Sequence, residues 1–172
     1  TNIMLAKVKD AQVHKAIIAS NDISIFEAVK LIKKEQVPTL LLKDSEEDIF
    51  IVTDSDFREK VILNKMNFEE SVNKISSGNI VYINENEFLF HAYLLMSKHS
   101  IKRVVVKNDE NEITGILDQI SLSRFFATQT FSVSNEIEKA KNLMELKNSS
   151  HSLINIIKSL HEKGVKISFI SK

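Results

Sequence analysis

Cysteine is absent from the 172 residues, so the chain has no disulfide framework, no thiol nucleophile and no cysteine-bound metal. A reducing compartment suits such a chain, and we expect a cytoplasmic protein. Proline occurs once and glycine three times, so element boundaries must be read from periodicity and polar clusters. No apolar run approaches the roughly 20 residues that span a bilayer, so we expect no membrane partner.

Net charge is also lacking, because 23 basic and 23 acidic residues cancel. A balanced chain has no general electrostatic reason to bind nucleic acid, and we expect no such partner. The five histidines show no metal-ligand spacing, so we expect neither a metal nor another cofactor. What remains is an ordinary globular composition, 43% hydrophobic and 27% charged, in a chain long enough to bury a core.

The chain contains an internal repeat. A constant shift carries Phe26 onto Phe90 and Ala28 onto Ala92, and apolar positions match where the letters differ. Repetition at a fixed offset indicates a duplicated supersecondary unit that packs against its twin. Two such units create two related clefts.

Each copy is predicted to be a β-α-β-β-α unit. Capping residues precede an apolar stripe at period 3.6, buried strands follow, and polar residues begin a last helix. In the first copy we expect strands at 15–19, 39–43 and 49–52, with helices ending before Pro38 and near Asn64. In the second we expect strands at 79–83, 103–107 and 113–117, with helices at 88–100 and 119–127.

The tail differs from the repeats. Residues 131–163 have helical periodicity that Asn148, Ser149 and Ser150 interrupt, which predicts a helical hairpin ended by Gly164. Residues 165–171 are apolar and predict an element without a partner. We therefore divide the chain into residues 1–64, residues 65–127 and a helical extension, residues 128–172, that begins an effector region.

The segment that carries chemistry follows the strand at 49–52. Thr53 and Asp56 lie on one side of a strand-to-helix turn, where a hydroxyl and a carboxylate can accept from a ribose diol. The helix start adds backbone donors that favour anions. The same Thr-x-x-Asp pattern is common in helix caps, so a purely structural role stays open.

Over residues 8–127 the chain resembles a tandem pair of CBS domains. The resemblance depends on the repeat, on Val8-Lys-Asp10 and Val72-Asn-Lys74 before the first strands, and on Ile51-Val-Thr53-Asp-Ser-Asp56-Phe57. It implies an α+β fold with pseudo-two-fold symmetry, followed here by the helical hairpin. It further implies a homodimer formed through the pair, and a regulatory module that binds an adenine nucleotide or S-adenosylmethionine between the copies.

The resemblance also implies a set of site residues. Thr53 and Asp56 would hold the ribose, and basic residues of the sister copy would meet phosphates. The full set is Ile17, Ile18 and Ala19 beside the base, Thr53 and Asp56 at the ribose, and Lys102, Arg103 and Arg58 at the phosphates.

The chain departs from the family pattern in both copies. Phe50 replaces the glycine that precedes Thr53, and its ring is expected to narrow the first cleft. In the second copy Gly115 is kept, Asp118 stands where Thr53 does, and Ser121 replaces the ribose aspartate. Pro38 and Thr39 of the first copy match Lys102 and Arg103 of the second. We therefore predict one competent site, built from both copies, and a second cleft without acceptor or cations.

The tail resembles the segment that follows CBS pairs in certain bacterial signalling proteins. The stretch Ile137-Glu-Lys-Ala140 carries this likeness, which implies a nucleotidyltransferase effector, related to the protein-PII uridylyltransferases, beyond Lys172. We therefore expect a regulatory segment that senses an adenine nucleotide such as AMP, ADP or ATP and controls that effector.

Two other readings stay open. In the first, the pair is a ligand-free dimerisation module in which Phe50 fills a dead cleft. In the second, the segment is an enzyme. Asp54 and Asp56 lack the Gly-Ser loop of a nucleotidyltransferase metal pair. No nucleophile elbow is present, although residue order alone leaves a Ser–His–Asp constellation open.

Overall fold

The computed structural model describes residues 5–139 and 143–164, with side chains over residues 5–131 and 153–164. Two three-stranded sheets form the centre of the described chain, one from each copy. In each sheet the second strand lies in the middle, parallel to the first and antiparallel to the third. The first copy comprises β1 Ile18–Ser20, α1 Ile25–Glu35, β2 Thr39–Lys43, β3 Ile49–Thr53 and α2 Asp54–Asp56. The remainder comprises β4 Tyr82–Asn84, α3 Leu89–His99, β5 Arg103–Lys107, β6 Ile113–Asp118, α4 Gln119–Lys139 and α5 Leu143–Glu162.

Local sequence accounts for the ends of α1. Ser24 caps its start by accepting from the Glu27 amide, and the Glu27 carboxylate accepts in return from the Ser24 amide. Gln36 ends the helix in the left-handed conformation at φ 55, and Ser100 does the same for α3 at φ 52. The repeat therefore extends to the backbone conformation of the helix ends.

Each sheet has two buried faces. One face packs on the helices of its own copy, with Leu40, Leu42 and Val52 in the first copy. The other face meets the sister sheet through a small core of Leu41, Val105 and Ile116. Since side chains alternate along a strand, Thr39 and Thr53, which are register partners, lie on the same face as Leu41.

The residues just before the first strand of each copy, which we call its entry segment, cross over and pair with the sister copy. His14, which precedes β1, forms a bridge with Ile116 of β6, and Ser77, which precedes β4, forms a bridge with Ile51 of β3. Each entry segment therefore borders the last strand of the other copy. We call the region between the copies at the end of β3 the first cleft, and the corresponding region at the end of β6 the second cleft.

Several predicted boundaries were wrong at the edges of the copies. The first strands begin at Ile18 and Tyr82, because the residues before them join the sister copy as crossing segments. The helix after Thr53 continues from α2 as a π-helix over Phe57–Ile62, and a short 3-10 helix, Val72–Ile75, leads to the second copy.

The predicted tail was right about helices and wrong about their break. α4 runs without interruption to Lys139, past the proposed boundary at residues 127–128, and α5 is helical through residues 148–150. Asparagine and serine lower helix propensity by only a fraction of a kcal/mol, so they do not stop a helix that other residues favour. Gly164 follows the end of α5 at φ 72, as predicted. The expected element at 165–171 lies outside the described residues.

No helix within the described ranges is long and apolar enough to cross a membrane.

Candidate functional site

The first cleft contains the predicted hydroxyl and carboxylate in direct contact. The Thr53 amide donates to Asp56 Oδ2 at 2.8 Å, and the Thr53 hydroxyl donates to the same oxygen at 3.1 Å. Ser55 Oγ lies 3.0 Å from that hydroxyl. The Asp56 side chain is only 15% exposed. This geometry fulfils the helix-capping reading, and it also holds a carboxylate at the edge of the cleft between the copies.

Lys60 is the cation that contacts Asp56. Its Nζ lies 2.8 Å from Asp56 Oδ1 and donates to the carbonyl oxygen of Ile75 at 2.9 Å. Arg58, which we predicted as a phosphate-binding residue, pairs loosely with Glu59 at 3.6 Å on an exposed surface. The spacing of an aspartate and a lysine four residues apart could have identified Lys60 from the sequence.

The register of the first sheet separates Ile17, Ile18 and Ala19 from Thr53. Ile18 pairs with Leu41, which pairs with Ile51, so β2 lies between β1 and β3. Two strand spacings amount to about 10 Å. The structure thus does not bring these three residues next to Thr53, and their place beside a base stays a prediction. The segment that borders β3 is Ser77 and Gly78 of the second copy, because the entry segments cross.

Phe50 faces the interior of its own copy. Its ring packs on the core of the first copy, and a methyl group added at Gly78 would meet the ring at 3.5 Å, an ordinary contact. The narrowing of the first cleft stays a prediction, and Gly78 lies where the Phe50 ring reaches the segment before β4. Sequence reasoning missed Gly78, although a glycine in so glycine-poor a chain was a signal.

Lys102 and Arg103 lie at the second cleft. Arg103 is the register partner of Asp118, as Thr39 is of Thr53, and the Lys102 carbonyl accepts from the Gln119 amide beside it. That the second copy supplies these cations to the first cleft stays a prediction, whereas the register places Arg103 beside Asp118. A sheet keeps its register partners together, so each cleft takes the residue at the start of its own middle strand.

The first cleft consequently has a neutral residue where the second has arginine. Thr39 is 1% exposed, and its hydroxyl is a buried group for which no hydrogen-bond partner is found. Arg103 Nε is likewise buried without a partner. Both groups lie on the face between the copies, which indicates unfilled bonding capacity at both clefts.

The second cleft is occupied by a side chain from the first copy. His14 Nε2 lies 2.8 Å from Asp118 Oδ2, and Asp118 Oδ1 accepts from the Ser121 amide at 2.7 Å. Burial raises the pKa of Asp118, but the hydrogen bonds from Ser121 and the charge and hydrogen bond of His14 outweigh it, so that its pKa lies below the ordinary value. In the second copy the carboxylate therefore stands at the position that matches Thr53, not at the one that matches Asp56, and it is paired with His14.

The contact of Ser121, His14 and Asp118 is not arranged as a catalytic triad. Ser121 Oγ lies 3.4 Å from His14 Nε2, the same nitrogen that contacts Asp118. A triad needs the acid on one ring nitrogen and the nucleophile on the other, so that the imidazole can relay a proton. Within the described residues there is also no cluster of three or more side chains that could hold a metal ion.

Gly115 explains how the second cleft closes. A methyl group there would overlap Val13 Cγ1 and lie 2.7 Å from the carbonyl oxygen of His14. The absent side chain lets the first entry segment approach β6 closely. In the first cleft the large and small residues change places: the large Phe50 lies on the strand, and Gly78 lies on the entry segment.

Comparison with known proteins identifies the repeat. Residues 72–128, which include most of the second copy, match the model of the CBS domain family. One relative is an uncharacterized protein of Methanocaldococcus jannaschii, 30% identical over 112 residues that make up 63% of this chain and 60% of the relative. Another is the L-aspartate semialdehyde sulfurtransferase of the same organism, 32% identical over 120 residues, or 69% of this chain and 23% of that protein. The chain thus spans only part of the length of both relatives.

Solved structures show the same fold. A CBS domain pair in complex with 5′-methylthioadenosine and S-adenosyl-L-methionine is 28% identical in sequence, with a TM-score of 0.61. The match covers 73% of this chain and 98% of the chain in that structure. A CBS domain protein of Pyrobaculum aerophilum in complex with AMP is 16% identical in sequence, with a TM-score of 0.56. That match covers 65% of this chain and 86% of the chain in that structure. The fold of the described chain is therefore the α+β fold of a CBS domain pair, as expected.

Proposed function

We propose that this CBS pair is a sensing module that binds one adenosine-type ligand in the first cleft. The observation that carries the proposal is the Thr53–Asp56 pair at the end of β3, where Thr53 lies on the strand face that meets the sister copy. A carboxylate held there can accept from a ribose hydroxyl. In the second cleft the corresponding carboxylate is taken by His14.

The charge of the first cleft favours an adenosine ligand without phosphates. Thr39 stands where the second cleft has Arg103, and Lys60 is already engaged by Asp56 and Ile75. A phosphate would find no unpaired cation among these groups. We therefore favour 5′-methylthioadenosine or S-adenosylmethionine over ATP, and the solved pair with both ligands supports this preference. AMP, ADP and ATP, which the sequence suggested, remain within the proposal as weaker ligands.

Control of an attached effector is the second part of the proposal. α4 begins directly after Asp118 and extends as one helix to Lys139, so a change at the copy interface would be passed along a rigid element. The likeness at residues 137–140 supports a nucleotidyltransferase as that effector. A ligand shifts the pair only as far as it prefers one arrangement of the two copies.

A specific observation also favours the ligand-free interaction module. Asp56 already accepts three hydrogen bonds or ion contacts. Apolar side chains on α1 and α3 are exposed and would suit a homodimer. These side chains are Phe26, Val29, Phe90, Tyr93 and Leu94.

The test is calorimetric titration with 5′-methylthioadenosine, S-adenosylmethionine, AMP, ADP and ATP, with thermal unfolding as a second readout. A ligand at about 100 times its dissociation constant should stabilise the fold by roughly 2.7 kcal/mol. We expect one site per chain and the tightest binding from a phosphate-free ligand. No response to any of the five would overturn the sensor function, and a stable dimer in the same experiment would establish the alternative.

A further inference from the structure

Asp56 has less free bonding capacity than a ribose diol requires. A carboxylate offers about four acceptor positions. The Thr53 amide and hydroxyl use both positions on Oδ2, and Lys60 Nζ uses one on Oδ1. One position is left, whereas two vicinal hydroxyls need two. When both hydroxyls bind Asp56, rather than one of them binding the Thr53 oxygen, a present partner of Asp56 must leave.

Lys60 is the partner most able to leave. Its side chain is 44% exposed, so water can solvate the released ammonium. The Thr53 amide is fixed by the backbone at the end of β3, where Thr53 pairs with Thr39. Because only the Asp56 end of this ion pair is largely buried, the pair contributes less than one between two buried groups.

We propose that Lys60 is a built-in competitor for the ribose-binding carboxylate, and that ligand binding releases it from both Asp56 and the Ile75 carbonyl. This inference deepens the proposed function and rests on it. In the ligand-free chain Lys60 connects the helix after β3 to the 3-10 helix Val72–Ile75. That short helix leads directly to Ser77, which borders β3. Displacing Lys60 therefore frees the wall of the cleft that belongs to the second copy.

Competition makes a signed prediction for Lys60→Met, which removes the ammonium and keeps an unbranched chain. The variant should bind 5′-methylthioadenosine about two- to five-fold more tightly, because no ion pair has to be broken. A residue that merely positions Asp56, or contacts the ligand, would weaken binding when removed. Lys74→Met is the matched control, since Lys74 pairs with Glu70 at 2.6 Å on the neighbouring surface and should leave affinity unchanged.

Ionic strength separates competition from other effects, because 5′-methylthioadenosine has no net charge. Raising salt from about 0.05 M to about 0.5 M partly screens the Lys60–Asp56 pair, whose Lys60 end is solvated. Affinity of the wild type should rise with salt, while that of Lys60→Met should stay level. In the ligand-free protein, amide exchange at residues 72–77 should be faster in Lys60→Met than in Lys74→Met, because only Lys60 donates to Ile75.

The outcomes distinguish the inference from the function. Wild-type binding with equal or weaker binding by Lys60→Met would overturn the competition and leave the sensor proposal standing, with Thr53 as the group that yields. Absence of binding by both proteins would overturn the proposed function itself, and the competition with it.

Discussion

The two clefts have the same backbone and opposite arrangements of side chains. In the first, a bulky Phe50 lies on the strand and Gly78 on the crossing segment; in the second, Gly115 lies on the strand and His14 on the crossing segment. In the first, the carboxylate follows the helix start by three residues, and in the second it precedes the helix. The comparison teaches that a duplicated cleft can be closed by one side chain from the sister copy while its hydrogen-bonding pattern is kept.

The most direct way to break the comparison is to remove the carboxylate of the first cleft. Asp56→Ala should weaken adenosine-ligand binding by about ten- to a hundred-fold, because a hydrogen bond to a charged group contributes roughly 1.5–3 kcal/mol. Calorimetric titration measures the loss. Asp54→Ala, two residues earlier and exposed, is the control and should bind normally. Urea unfolding must show a folded variant, since the cap of α2 is also lost. Unchanged affinity would show that Asp56 only caps the helix.

Gly115 lies on a strand and Gly78 on an entry segment, so replacing each by alanine gives a paired test of stability. Gly115→Ala should destabilise the fold by about 1–3 kcal/mol, because the new methyl group would overlap Val13 and press on the His14 carbonyl. Gly78→Ala meets only an ordinary contact with Phe50 and should change stability by less than about 0.5 kcal/mol. Urea unfolding of both variants checks the contrast. Equal effects would mean that the two crossing segments are packed alike.

Removing the side chain that occupies the second cleft should cost less. His14→Ala leaves Asp118, 13% exposed, without its partner, and should destabilise the fold by about 1–2 kcal/mol. His91→Ala removes an exposed pair with Glu87 and should have a much smaller effect. Binding at the first cleft should be unaffected by either change. A loss of ligand binding in His14→Ala would instead place the ligand in the second cleft.

The pH dependence of stability should reveal Asp118. Its folded pKa is lowered, so its contribution is present above the unfolded value of about 3.9 and is lost as pH falls through the lower folded value. Wild type should be more stable than Asp118→Asn near pH 6, and the difference should shrink as the pH falls below about 4. Unfolding midpoints across that range measure it. A constant difference would show that Asp118 is not stabilised as a carboxylate.

Much of the fold could be predicted from local pattern. The strand Thr39–Lys43 and the strand Arg103–Lys107 were predicted with their observed bounds, because buried apolar runs flanked by breakers are unambiguous. The first strands were predicted too early, since the residues before Ile18 and Tyr82 are apolar for another reason. They cross to the sister copy, and a local pattern does not identify its partner.

The candidate site was less predictable than the fold. Thr53 and Asp56 stand next to each other in structure because they are three residues apart at a helix start, a local relation. The pairing of Arg103 with Asp118 was not predicted, because it depends on strand register, and His14 was missed because it contacts Asp118 at a separation of 104 residues. Sequence separation of that size leaves no signal in a single chain.

The sequence by itself determined the duplicated units, the helix ends and the pairing of Thr53 with Asp56, because these follow from hydrogen bonds and side-chain periodicity within a few residues. Only the tertiary structure decided which groups share a cleft. The crossing segments bring Gly78 to one and His14 to the other, and the register gives Thr39 to one and Arg103 to the other. The physical reason is that strand pairing and sheet packing join residues far apart in the chain. The residues brought together in this way set the charge and the free space of each cleft.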